Sequence, residues 1–201
     1  MNPGDDAIAA LLGGRHADPF SLLGPHAGPD GTFVRAWLPG AQRVLVHDLS
    51  GKVLGELRPV GDGIVEGTIA APPQPLWYYA RGGGGEWWVK DPYSFGPVLG
   101  PTDDFLLAEG THLRLHDRLG AHLVRHEGAE GMHFAVWAPN AQVVSVVGDW
   151  NLWDARRHPM RRRGDVGVWE IFLPDVGPGQ AYKFAIIGPD GQRLPLKADP
   201  F

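Results

Sequence analysis

The chain has 201 residues, 43% apolar and 20% charged, with a net charge of −5, an ordinary globular composition with room for one large domain or two small ones. The acidic balance argues against a nucleic-acid surface, which carries a basic surplus, and no stretch approaches the roughly 18 uncharged apolar residues of a membrane span. Cysteine is absent, which excludes disulfide and thiolate chemistry; residues 1–14 lack the basic start and apolar run of a secretory signal, so a cytoplasmic location is expected.

From the N-terminus, Asp5–Leu12 (DDAIAALL) reads as a short helix, its two aspartates suited to the positive helix start and Gly13-Gly14 to its stop. The 29 glycines and 19 prolines then punctuate apolar runs instead of forming one tract, which predicts many turns between strands. Pro101–His122 reads as a partly helical connector, with Phe105, Leu106, Leu107, Leu113, Leu115 and Leu119 expected to pack against the C-terminal module. Beyond it, Met132–Trp137, Gln142–Val147, Val168–Leu173 and Ala181–Ile187 are short, β-branched and aromatic, bounded by Pro and Gly clusters. In the last of these, Tyr182, Phe184 and Ile186 alternate with Lys183, Ala185 and Ile187, predicting one core face and one partly open face.

The chain repeats itself. Trp37-Leu38-Pro39-Gly40-Ala41-Gln42 matches Trp137-Ala138-Pro139-Asn140-Ala141-Gln142, and Val44 and Val46 continue onto Val144 and Val146. Gly63-Ile64-Val65-Glu66 then matches Gly167-Val168-Trp169-Glu170, Tyr78 matches Tyr182, and Asp91-Pro92-Tyr93 matches Asp199-Pro200-Phe201. The collinear order predicts an all-β chain of two tandem immunoglobulin-like antiparallel β-sandwiches, with modules at 1–100 and 123–201 joined by the connector 101–122.

A search for chemistry finds no Gly-rich phosphate loop and no G-x-S-x-G elbow. Glycoside chemistry needs two carboxylates facing each other across a sugar, and sequence alone pairs none of Asp48, Asp62, Glu66, Asp91, Asp149, Asp154, Asp165, Glu170 and Asp175. The chain alone is expected to be inactive, without cofactor or metal. His112 and His116 would share a face if helical, but local hydrogen bonding is the preferred reading for them, as it is for His16 and His26. Arg156, Arg157, Arg161, Arg162 and Arg163 read as a solvated face, with a docking surface for another domain as the alternative. The most informative segment is Gly148-Asp149-Trp150-Asn151-Leu152-Trp153-Asp154. Its Trp150 is expected mostly in the core and Trp153 mostly at the surface, where an indole face can stack on a sugar ring.

Trp137-Ala138-Pro139-Asn140-Ala141, Gly148–Trp153 and Tyr182-Lys183-Phe184 together resemble the family 48 carbohydrate-binding module, a starch- and glycogen-binding sandwich. Gly14–His26 (GRHADPFSLLGPH), Glu109–Leu115 and Leu119–His122 of the connector and the ending Pro195–Phe201 resemble the N-terminal region of bacterial 1,4-α-glucan branching enzymes. The resemblance implies α-1,4-glucan or glycogen as ligand and the catalytic barrel of the same enzyme as partner. That barrel, which supplies an Asp nucleophile and a Glu acid/base, would begin where this chain stops. A monomer that binds neither nucleic acid nor membrane is expected. In binding members the platform uses the Trp of an N-x-W turn and the Lys of a Y-K-F strand, here Trp153 and Lys183, with Trp150 and Asn151 beside them. Gly191-Gln192-Arg193-Leu194 lacks the second Trp of the usual clamp, whereas the first module has Trp87 and Trp88 at the corresponding point. A stand-alone glucan-binding scaffold, or the front of a debranching or trehalose-forming enzyme, are the alternative readings.

Overall fold

A computed structural model describes residues 3–201 and groups them into two compact units. The first unit is built on Phe20–Gly96 with Glu127–Ala129. Its strands are β1 (Gly24–Gly28), β2 (Gly31–Trp37), β3 (Ala41–His47), β4 (Val53–Gly61), β5 (Ile64–Ile69), β6 (Trp77–Gly82) and β7 (Gly85–Lys90). They pair antiparallel in the order β1-β2-β5-β4-β3-β6-β7. Strand β4 serves two layers. Gly55 and Leu57 pair with Val46 and Val44 of β3, whereas Arg58 and Pro59 pair with Glu66 and Val65 of β5. A strand that switches partners half-way lets one ladder fold over on itself. One core cluster therefore gathers Val34 and Ala36 from β2, Val65 and Ile69 from β5, and Val44, Val46, Leu57 and Tyr78 from the other half.

The second unit holds Pro97–His126 and Glu130–Phe201, and the N-terminal helix α1 (Pro3–Leu12) groups with it. The helix ends as its sequence indicates: Gly14 adopts φ +63°, its N–H reaches Leu11 O and the Arg15 N–H reaches Ala10 O, the pairing that closes a helix through a left-handed residue. Helix α2 (Pro101–Ala108) precedes β8 (Gly120–His126), β9 (Ala129–Trp137), β10 (Val143–Gly148), β11 (Arg161–Arg163), β12 (Val168–Pro174) and β13 (Tyr182–Ile187). One layer is β11-β12-β9-β8 and the other is the pair β10-β13, extended by single bridges from Ser145 to Pro159, Phe184 to Lys197 and Ile187 to Arg193.

Strand β12 is buried along its whole length. Trp169, Ile171 and Leu173 pair with Val136, Phe134 and Met132 on the inner face. The opposite face is covered too, because Leu107, Leu115 and Leu119 of the connector and Leu99 just before it pack on Ala135 and Val168; Leu113 and Phe105, by contrast, remain exposed. Beneath this cover lies Glu170, whose Oε2 accepts from Val98 N (3.1 Å), Leu99 N (3.1 Å) and His133 Nε2 (2.9 Å). Burial alone would raise this carboxyl, but the His133 hydrogen bond, the Leu99 N–H and Arg163 hold it below the usual glutamate range. In β13 the alternation departs from expectation at its end. Phe184 is core as expected, but Ile187 is buried while Ile186 is only partly so.

The repeat is a repeat of contacts. Leu38 N donates to Gly63 O and Ala138 N to Gly167 O, both at 2.8 Å. Gly63 (φ +78°) and Gly167 (φ +75°) lie so close to Pro39 and Pro139 that an added Cβ would meet those rings at 2.9 and 2.6 Å. In each copy a tyrosine hydroxyl, Tyr78 or Tyr182, donates to an aspartate, Asp91 or Asp199. The aspartate's other oxygen accepts from the N–H two residues on, at Tyr93 or Phe201, both at 3.0 Å. The matched D-P-aromatic motif is thus a clasp that ties the segment after the last strands back onto its sandwich.

Candidate carbohydrate-binding surface

The segment Gly148–Asp154 leaves β10 in a 3₁₀ turn at Asp149–Asn151. Leu152 and Trp153 come next, with φ +58° and +59°, a left-handed pair that side chains with a Cβ rarely occupy. Asn151 holds them there. Only 1% of it is exposed; its Oδ1 accepts from Gly148 N at 3.0 Å, and its Nδ2 donates to Val146 O at 2.9 Å and His158 Nδ1 at 2.8 Å. Burial, with Arg157 second, pushes the His158 pKa down to about 4, which keeps the ring neutral and able to accept. Both amide hydrogens and the carbonyl oxygen of Asn151 are therefore engaged inside the turn, and the buried side chain presents nothing to a ligand.

The two tryptophans of the turn diverge. Trp150 stacks on Phe134 with centroids 5.5 Å apart and 27° between planes, and with Tyr182, Met132 and Phe201 it lines a cavity of about 340 Å³. Trp153 keeps 38% of its surface exposed and donates from Nε1 to Asp149 Oδ1 at 2.8 Å, which sets the indole's orientation. It borders a groove of about 280 Å³ with Ser145, Ala185, Asp154, Leu194 and Leu196. Arg156 hydrogen-bonds Asp154 and holds its carboxyl below the usual range. Lys183 is exposed and two residues from Ala185; strand alternation turns both away from the buried Phe184 and onto the outer face of β10-β13. The structure thus brings Trp153 and Lys183 to one face and sends Trp150 and Asn151 inward.

The other sequence candidates separate as well. Trp87 packs against the core cluster of the first unit, while its neighbour Trp88 is 56% exposed on the opposite face. His112 lies past the end of α2, with Nε2 3.2 Å from Asp103 Oδ1 and Nδ1 accepting from Arg114 N; among the described residues no three His, Cys or carboxylate groups are placed to hold a metal. His16 Nδ1 accepts from Asp18 N. The arginine group is not uniformly a solvated face: Arg163 is largely buried, pairs with Asp104 and donates to Leu99 O at 3.0 Å, so it ties β11 to the connector. Sequence reasoning missed Ser145 and Ala185 and gave Asp149 no role in holding the Trp153 indole, although the alternation Lys183, Phe184, Ala185 already marked Ala185 as a neighbour of Lys183 on one face.

No described helix is long and apolar enough to cross a membrane. Residues 4–93 match the N-terminal domain of the alpha-1,4-glucan branching enzyme GlgB, and residues 118–201 match carbohydrate-binding module 48, the isoamylase N-terminal domain. A 1,4-alpha-glucan branching enzyme GlgB of Novosphingobium aromaticivorans is 65% identical over 202 residues, covering 100% of this chain and 28% of that protein. Relatives of the same description from Mesorhizobium japonicum and Rubrobacter xylanophilus are 57% and 50% identical, covering 100% and 98% of this chain and 27% of each relative. The chain thus spans little more than a quarter of the length of the relatives it matches. It belongs, by both family matches and by these relatives, with the N-terminal region of the 1,4-alpha-glucan branching enzymes.

Proposed function

We propose that the chain is the glucan-handling, non-catalytic front of a branching enzyme, and that its second unit binds α-1,4-glucan or glycogen on the outer face of β10-β13. The organisation proposed is an N-terminal module over 1–100, a connector over 101–122 and a carbohydrate-binding module over 123–201. The partner proposed is the catalytic barrel of the same enzyme, in a cytoplasmic monomer that joins α-1,6 branches by glucan chain transfer. The observation that carries the reading is the part-exposed Trp153 indole, pinned by Asp149 beside a groove that Ala185 of β13 also lines, on a module of the family 48 type.

The affinity can be worked from what is left to cover. With 38% of Trp153 exposed and about 250 Å² available to a fully buried indole, roughly 100 Å² remains for a sugar face, on the order of 2.5 kcal/mol. Lys183 adds about 1.5–3 kcal/mol at best through charged hydrogen bonds to hydroxyls, and association subtracts several kcal/mol. These terms leave only weak binding of a short oligosaccharide, and glycogen retains the protein more strongly by offering many chain ends at once. Affinity electrophoresis in glycogen gels tests this. Wild type is expected to be retarded and Trp153→Ala released; a folded Trp153→Ala protein retarded like wild type would show that the platform lies elsewhere.

A further inference from the structure

The first unit carries an aromatic surface that the platform on β10-β13 does not explain. Register places it: β6 pairs with β7 through Trp77 and Lys90, Tyr79 and Trp88, and Arg81 and Glu86. On the other edge, β6 pairs with β3 through His47 and Trp77, Leu45 and Tyr79, and Arg43 and Arg81. Tyr78 and Ala80 point into the core, so Trp77, Tyr79 and Arg81 point out. Three rungs result on one face: His47-Trp77-Lys90, Leu45-Tyr79-Trp88 and Arg43-Arg81-Glu86.

Trp88 stands at the centre. Its ring lies 4.9 Å from His47, 5.0 Å from Tyr79 and 6.4 Å from Trp77, yet 56% of it is bare. Three rings fix its orientation while leaving a face open. The ends of the patch are polar. The Lys90 ammonium sits 4.4 Å from the Trp77 ring centroid, and at the other end Tyr79 donates its hydroxyl to Glu86, which pairs with Arg81. Beneath Trp88, His47 is 7% exposed, and both His47 Nδ1 and Trp77 Nε1 are buried without a hydrogen-bond partner.

We propose that this face is a second α-glucan platform, with Trp88 stacking on a sugar ring and Lys90 and the Arg81-Glu86 pair bonding hydroxyls at its two ends. A fixed, open indole beside both donors and acceptors suits a neutral polyol ring, which has an apolar C–H face and a hydroxyl rim. This deepens the glucan-binding reading of the protein and rests on it.

The test uses the whole 201-residue chain with maltoheptaose and glycogen as probes. In wild type, maltoheptaose is expected to shift the indole N–H resonances of Trp77 and Trp88 as well as that of Trp153. Trp88→Ala is expected to weaken retardation in glycogen gels at least about fivefold, close to 1 kcal/mol, and to add to the loss in Trp153→Ala. If wild type is retarded, Trp153→Ala released and Trp88→Ala unaffected, with the Trp77 and Trp88 signals unmoved, this platform is overturned while the first stands. If wild type is not retarded and no indole signal moves, both fall. The indole shifts in wild type decide the matter even if Trp88→Ala fails to fold, and unmoved Trp77 and Trp88 signals would leave the patch as a protein-docking face instead.

Discussion

Replacing Asn151 by alanine separates a ligand contact from a turn support. The side chain makes three hydrogen bonds at 2.8–3.0 Å in an environment with 1% exposure. Its removal strands the Gly148 N–H, the Val146 carbonyl and His158 Nδ1. An orphaned buried group costs about 1–3 kcal/mol and a neutral hydrogen bond nets about 0.5–1.5 kcal/mol. Partial relaxation and water entry keep the sum below the full total, and a loss of about 3 kcal/mol in unfolding free energy is expected. The left-handed Leu152 and Trp153 carry strain of about 1–3 kcal/mol each that only a well-braced turn sustains, so the turn is expected to rearrange, and the strain it releases offsets part of the loss. Glucan binding should fall as well, because the indole loses its mounting. Urea unfolding, with hydrogen exchange at the amides of residues 146–153, measures the stability. Trp153→Ala provides the contrast, with binding lost while the Asn151 bonds keep the amides of residues 146–151 protected. A change under about 1 kcal/mol in Asn151→Ala together with lost glycogen retardation would refute the argument and make Asn151 a sugar contact.

Other titratable and close-packed groups give further expected outcomes. Since the folded-state pKa of His158 lies at about 4, below the ordinary value of about 6.5, the folded state binds this proton more weakly than the unfolded one. That contribution to stability is full above about pH 6.5 and is lost as pH falls toward 4, by up to about 3 kcal/mol; denaturation at pH 7 and pH 4.5 should show the loss in wild type and not in His158→Gln. Asp91 has the opposite sign: burial raises its pKa to about 7 against the hydrogen bonds from Tyr78 and Tyr93, so the first unit should lose stability as pH rises from about 4 to 7, and Asp91→Asn should flatten that slope in the same titration. Glu170→Ala leaves His133 and the Val98 and Leu99 N–H groups without an acceptor, and thermal melts should show a loss of about 3–5 kcal/mol, with Glu170→Gln intermediate. Gly63→Ala and Gly167→Ala should each cost more than Gly40→Ala in chemical denaturation. All three have positive φ, but only the first two would drive a Cβ into a proline, adding to a strain of about 1–3 kcal/mol.

Much of this architecture is legible in the chain. The order Trp-x-Pro, Gly-x-x-Glu, Tyr, Asp-Pro-aromatic recurs because each element is a local device: a turn that brings a glycine against a proline, and a tyrosine–aspartate clasp that closes a sandwich. Such devices are short, so their residues stay at nearly fixed spacing and show up as a repeat. The stop of α1 and the β character of every run past the connector are written in the same local way.

The candidate site was legible only in part, and the limit is geometric. A strand's side chains alternate, so sequence establishes that Trp87 and Trp88 face opposite ways but not which one is inside. Pairing with β6 decides that, and it puts Trp87 on the core and Trp88 in the open. Asn151 was expected at the ligand because the family 48 resemblance places it beside Trp153; its partners Val146 and His158 come together only when β10 and the loop after it fold around it. Glu170 meets the Val98 and Leu99 amides, and Arg163 meets Asp104, across more than fifty residues of chain. By itself the sequence determined the kind of fold, its duplication and the turn that carries Trp153, because these depend on neighbours a few residues away. Tertiary structure alone decided which indoles are bare, which polar groups are already paired and where a groove lies, because burial depends on segments that the sequence keeps far apart.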